Sequence, residues 1–204
     1  MTIARKLALL VLFALLGMVV MTAWFLVSER KLILEERQTG VRQVVEVAHG
    51  IAVHFHALST KGAMPDEEAR QSAAAAMQAL RYSGNEYIWI NDMHPRMVMH
   101  PVRPELNGQD LSANKDPNGL PLFMEFVRIV KTQGAGFVPY MWPKAGSDIP
   151  VEKTSYVKGF EPWGWVIGSG VYIDTVNAAI WKRAMGFGAV ALALGAALLV
   201  WWAP

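Results

Sequence analysis

The sequence predicts an α+β fold: an antiparallel sheet of about five strands with a long N-terminal helix, flanked by two transmembrane helices. Three observations predict it. Uncharged apolar runs lie near both ends of the chain. A seam of apolar residues at helical spacing follows the first run. Five short β-branched or aromatic runs then appear, bounded by turn signals and interrupted by one amphipathic helix.

The first apolar run is Leu7 to Val27, "LALLVLFALLGMVVMTAWFLV", and the second is Ala184 to Trp202, "AMGFGAVALALGAALLVWW". At about 1.5 Å per residue, each is about long enough for a hydrocarbon core of about 30 Å. Trp24, Trp181, Trp201 and Trp202 sit near the run ends, where interfacial aromatics belong. A cleaved signal peptide is the alternative for the first run. Its apolar stretch is too long for that, and "TAWFLVSER" puts bulky residues where a peptidase needs small ones. The expected boundaries are a cytoplasmic N terminus over 1–6, transmembrane helices over 7–27 and 184–202, and an extracytoplasmic domain over 28–183. Basic residues flank both runs, so the outward placement of the middle domain rests on its size as a loop.

Composition narrows the function classes. The net charge of +2 and the lack of a basic cluster with interleaved aromatics argue against a nucleic-acid partner. The chain has no cysteine, which excludes a disulfide scaffold and a thiolate metal site. No cofactor is expected.

Leu34, Val41, Val44, Ala48, Ile51, Phe55 and Leu58 form the seam of the long helix, which should end near Gly62. The seam could pair with a second copy, giving a homodimer, or pack on the domain's own sheet. A second helix begins at Pro65, carries Asp66, Glu67 and Glu68 at its positive end, and should stop at Ser83-Gly84. "EYIWIN" and "MVMH" read as strands around the turn "NDMHPR". A polar loop with Asn107-Gly108 and Asp116-Pro117-Asn118-Gly119 follows, then the helix "LPLFMEFVRIVKTQ". "GFVPYMW", "VEKTSYVKGF" and "WGWVIGSGVYI" are the last three strands. Such a sheet is backed by helices on one face. Its other face is left to loops, where a small-molecule pocket could form.

No nucleophile motif, phosphate loop or metal-binding helix motif is present, so a non-enzymatic protein is expected. His49, His54 and His56 on the long helix have no ligand spacing, and His94 falls in a turn. His100 differs: it ends an apolar strand beside a loop held by Pro101 and Pro104. It is either a satisfied core histidine or a ligand-contacting imidazole.

Aromatics are the stronger signal. Tyr87 and Trp89 share a face of the first strand, Tyr140 and Trp142 share a face of the third, and Lys153 and Tyr156 lie on the fourth. Singly, each is most often core or rim. Together with His100 they would line an apolar pocket whose polar tips are all donors, one of them a cation. That suits a small carboxylate. Trp163 and Trp165 flank Gly164 at a turn and read as packing.

"RYSGNEYIWINDMHPRMVMHP", "PELNGQDLS", "KDPNG" and "GFVPYMWPKAGSDIPVEKTSYVKGFEPWGWVIGSGVYID" closely resemble the single Cache domain of bacterial chemoreceptors and sensor kinases. The resemblance runs from about Arg30 to Thr175 and includes the flanking apolar runs. It implies a PAS-like periplasmic sensor in the bacterial inner membrane, with short-chain carboxylates such as acetate, propionate, pyruvate or lactate as ligands. By position, His100-Pro101, Tyr140, Trp142 and Lys153 match the family's pattern. Such receptors continue past the second span into a HAMP linker and a signalling bundle or kinase, whereas this sequence stops at Pro204. A missing output domain or a cytoplasmic signalling partner is therefore expected.

Overall fold

The computed structural model describes the backbone of residues 3–202 and most of their side chains, the exceptions lying chiefly in 4–15 and 190–202. Helix α1 runs over Ile3–Thr60, α2 over Asp66–Ala79, α3 over Leu122–Gln133 and α4 over Ile173–Trp202. The strands are β1 Ile88–Asp92, β2 Met97–Met99, β3 Ala135–Pro143, β4 Pro150–Phe160 and β5 Trp165–Tyr172. They form one antiparallel sheet in the order β2-β1-β5-β4-β3. The chain divides into two compact units, Glu36–Ile173 and the terminal pair Met1–Glu35 with Asp174–Pro204.

Within Glu36–Ile173, alternation along the strands sends side chains to two separate cores. On one face, Val41, Val45, Ala48 and Ala52 of α1 and Ala69, Ala73 and Met77 of α2 cover Ile88, Ile90, Met99, Phe160 and Ile167. The alanines remove bulk where the helices meet the sheet. The seam residues Val41 and Ala48 are buried here, so the seam packs on the domain's own sheet. Trp163 and Trp165 join this core, their rings 4.7 Å apart.

The other face is not left to loops alone. Helix α3 lies on it, burying Leu122, Phe123, Phe126, Val127 and Val130 against Trp89, Val138, Tyr140, Val157 and Val166. The sequence marked this helix as amphipathic, but not the surface its apolar stripe meets. The polar loop before it is tied to the sheet by Asp116. Its carboxylate accepts the backbone N–H groups of Asn118 and Leu120 at 2.9 Å, and that of Met141 on β3 at 3.0 Å. This caps a donor on an edge strand.

Helix α2 ends earlier than its sequence suggests. It stops at Ala79, because Leu80 is extended and Tyr82 pairs with Glu86 across Ser83 and Gly84, both at positive φ. Ser83-Gly84 is thus the tip of a tight turn.

In the terminal unit, the rings of Phe25 and Phe187 meet edge-on at 5.3 Å, Arg183 pairs with Glu29, and Arg30 Nε donates to Asn177 Oδ1 at 3.4 Å. Among the described residues no helix is long and apolar enough to cross a membrane. Many side chains of the two runs expected to span lie outside the described residues.

A fragment of residues 28–183 is expected to be soluble and to melt cooperatively, because both sheet cores close within Glu36–Ile173. A denaturation curve followed by circular dichroism checks this. A broad, non-cooperative curve would mean that the fold draws on the apolar runs.

Candidate ligand-binding site

The site is built on the α3 face of the sheet. Cross-strand register sets Tyr140, Lys153 and Tyr172 side by side on β3, β4 and β5. Tyr87 precedes β1 and Trp89 lies on it, two residues on and on the same face. Trp142 follows Tyr140 on β3, and His100 follows β2. Tyr87, Trp89, His100, Tyr140 and Trp142, with Leu122, Phe123 and Phe126 of the α3 wall, line a cavity of about 10 Å³. That is room for about one water.

Lys153 lies one layer behind this wall and is 1% exposed. Its Nζ donates to the hydroxyls of Tyr87 at 3.3 Å and Tyr172 at 3.4 Å. It also sits 4.3 Å from the Tyr87 ring centre, 4.5 Å from that of Tyr172 and 5.8 Å from that of Trp89. Phenols and aromatic faces surround it, and no carboxylate pairs with it among the described residues. Cation–π contact offsets part of the cost of burying an ammonium, roughly 2 kcal/mol when desolvated.

Tyr87 relays this charge to the cavity. Its oxygen accepts from Lys153 and from Trp142 Nε1, the latter at 3.1 Å. With those acceptor positions filled, its own proton goes to the Tyr172 hydroxyl, with which it shares a hydrogen bond, while Tyr172 donates to the Pro143 carbonyl. Tyr140 shares a hydrogen bond of 2.9 Å with Ser155. Burial pushes the Tyr140 and Tyr172 phenols above their ordinary value, so both stay protonated.

His100 is 2% exposed, and its ring centre lies 4.9 Å from that of Tyr87. The backbone N–H groups of Arg103 and Val102 donate to its Nδ1 at 2.9 and 3.3 Å. A nitrogen that accepts carries no proton, so the neutral ring holds its hydrogen on Nε2. Burial, and secondarily the cations of Lys153 and Arg103, push the imidazole down to about 3. The ring is therefore a neutral donor at physiological pH. Asn107 fixes its backbone, its Oδ1 accepting the His100 N–H at 2.8 Å. Arg103 lies over the Trp142 ring at 5.7 Å and pairs with Asp148 at 3.2 Å, joining the loop to the β3–β4 turn.

Six of the seven residues expected at the site share this face: Tyr87, Trp89, His100, Tyr140, Trp142 and Lys153. Tyr156 does not. It stands three residues from Lys153 on β4, so the alternation of a strand turns it to the other face. There it packs on Phe137, ring centres 4.9 Å apart, beneath the Arg42 guanidinium. Tyr172, Ser155 and Phe126 were not singled out in the sequence. The odd spacing between positions 153 and 156 was a readable signal. The pairing of Lys153 with Tyr172 was not, because register between strands is a tertiary property.

A family model described as Cache domain matches residues 16–186. The chain is 43% identical over 178 residues to the methyl-accepting chemotaxis protein McpP of Pseudomonas putida, covering 87% of this chain and 33% of that protein. It is 31% identical over 118 residues to the sensor histidine kinase MctS of Rhizobium johnstonii, covering 58% of this chain and 25% of the kinase. The chain thus spans about a quarter to a third of these relatives. A solved periplasmic sensor domain of a chemotaxis protein is 56% identical, with a TM-score of 0.67, over 68% of this chain and 96% of that one. Another, solved to explain carboxylic acid recognition by a Cache chemosensory domain, is 48% identical with a TM-score of 0.67, over 70% and 97% of the two chains. From its five-stranded sheet to its sequence match, the chain belongs to the Cache domain family of sensors.

Proposed function

We propose that the domain binds a short-chain monocarboxylate outside the cytoplasm as the non-enzymatic input of a transmembrane signalling protein, with the two apolar runs as its membrane anchors. The observation that carries this reading is the buried ammonium of Lys153, held without a carboxylate partner among the described residues, behind a wall of aromatic and donor side chains. Tyr87 and His100 line one small cavity, and an anionic oxygen there would accept from the imidazole Nε2–H, with the Tyr87–Lys153 cluster supplying positive charge behind it. The carboxylic acid recognised by the relative at 48% identity supports the same chemistry. The exposed apolar side chains of the first run, among them Phe13 at 67% and Trp24 at 70%, support an environment of lipid.

Strand β4 couples the site to the long helix. It points Lys153 and Ser155 at the α3 face and Lys158 at α1, where the ammonium pairs with the Glu46 carboxylate. A ligand that favours one arrangement of β4 then shifts the population of α1, by no more than its difference in affinity for the two states. The output is a cytoplasmic chemotaxis signalling domain. The similarity to MctS favours a kinase as the second reading.

The test is a thermal-shift titration of the full chain in detergent with acetate, propionate, pyruvate and lactate. At 100 times the dissociation constant, a ligand is expected to stabilise the domain by about 2.7 kcal/mol. Stabilisation by amines, sugars or metal ions alone would overturn the carboxylate reading.

A further inference from the structure

We infer that Gly168, on β5, sets the chain length of the ligand the site admits, by letting the Trp89 indole lie flat on the sheet. The inference rests on the carboxylate reading above and adds the residue that sizes the site. Gly168 is paired with Trp89 across β1 and β5. A Cβ built on Gly168 would lie 2.7 Å from both Cε2 and Cη2 of that indole, and closer still to Cζ2. Real side chains do not approach so closely, so any larger residue must displace the ring.

Backbone conformation gives no reason for a glycine here. Gly168 is not among the positive-φ residues, and a glycine in mid-strand costs stability through backbone entropy. Its use is the close approach itself. The indole is held in that position by its Nε1, which donates to Asn91 Oδ1 at 3.2 Å, and by Phe126 of α3 on its far side, at 5.5 Å between ring centres. Trp89 and Phe126 both line the cavity. A ring pushed off the sheet therefore moves toward α3 and into the space a ligand's alkyl end would occupy. The cavity is only about 10 Å³, so a ring that moves into it takes up space a ligand needs.

The clash involves the six-membered part of the indole, atoms that a phenylalanine at position 89 would not place there. This gives a reciprocal test by titration calorimetry on the full chain in detergent, with acetate, propionate and butyrate as probes. Gly168→Ala is expected to weaken propionate at least tenfold more than acetate. Trp89→Phe is expected to improve butyrate relative to acetate. The double variant Trp89→Phe/Gly168→Ala is expected to bind propionate again. If Gly168→Ala does not fold, the double variant should fold and carry the test. An unchanged acetate-to-propionate ratio in Gly168→Ala would overturn the inference, as would a double variant that stays unable to bind propionate. Failure of the unaltered protein to bind any of the three acids would overturn the carboxylate reading, and the sizing role with it.

Discussion

Lys153→Met is expected to remove carboxylate binding while leaving the unliganded domain at least as stable as before. The side chain is almost wholly buried, and its ammonium has two phenols and three aromatic faces around it but no carboxylate among the described residues. A buried charge without a counter-ion is a net cost to the fold, and an apolar residue of similar length removes that cost. The same charge is what an incoming anion gains. Removing one partner of a buried charge pair costs about 2–5 kcal/mol, so affinity should fall ~30-fold to more than 1000-fold. Calorimetry and a denaturant melt on the same variant read the two effects separately. Retained affinity would show that the anion does not depend on Lys153. A large loss of stability would show that the ammonium is architectural.

His100→Ala is expected to weaken ligand binding roughly tenfold to a hundredfold, the range for losing one hydrogen bond to a charged group. It should also flatten the acid sensitivity of the unliganded domain. In the unfolded chain an imidazole takes up its proton near pH 6.5. In the fold, burial and two cations hold it to about 3. Between those values the unfolded chain binds more protons than the folded one. The stabilisation is therefore fully present above about pH 6.5 and is lost as pH falls toward 3. From pH 7 to pH 5 this one group should remove about 2 kcal/mol. The carboxylates held low by their partners, Glu46, Asp66, Asp110 and Glu125, lose their contribution only in the more acidic carboxylate range. His49, also lowered by burial, is present in both proteins and cancels in the comparison. Parallel losses in the two proteins between pH 7 and pH 5 would mean that His100 is not held neutral by the fold.

Much of this site was legible one strand at a time. Tyr87 and Trp89 alternate with Ile88 and Ile90 of the opposite core, Tyr140 and Trp142 stand either side of the half-buried Met141, and period two is enough to place each pair on one face. The same rule separates Lys153 from Tyr156, which the structure places in the opposite core and not in the pocket wall expected of it. The role of α3 was not legible. Leu122, Phe123 and Phe126 form an apolar stripe whichever surface it covers, and only the docked helix makes them a cavity wall. Leu80 and Arg81 are good helix formers, so the sequence carries α2 on to the stop signal at Ser83-Gly84, past its end at Ala79. The turn at Ser83-Gly84 and the 2.7 Å bond between Tyr82 and Ser169 are long-range facts that outweigh that local preference.

The sequence by itself determined the order of elements, the faces of each strand and the donor character of the site, because these follow from local periodicity and from which side chains can donate. It also marked His100 as fixed, since prolines restrain the loop on which it sits. What only the tertiary structure decided is the pairing of elements across the fold. The register that sets Lys153 beside Tyr172, the loop N–H groups that put the His100 proton on Nε2, and the contact of Trp89 with Gly168 all join residues far apart in the chain or depend on loop geometry. No local spacing encodes such contacts. They arise from the free-energy balance of packing a whole sheet between two layers, and they turn a set of aromatic residues into a cavity with a size and a charge.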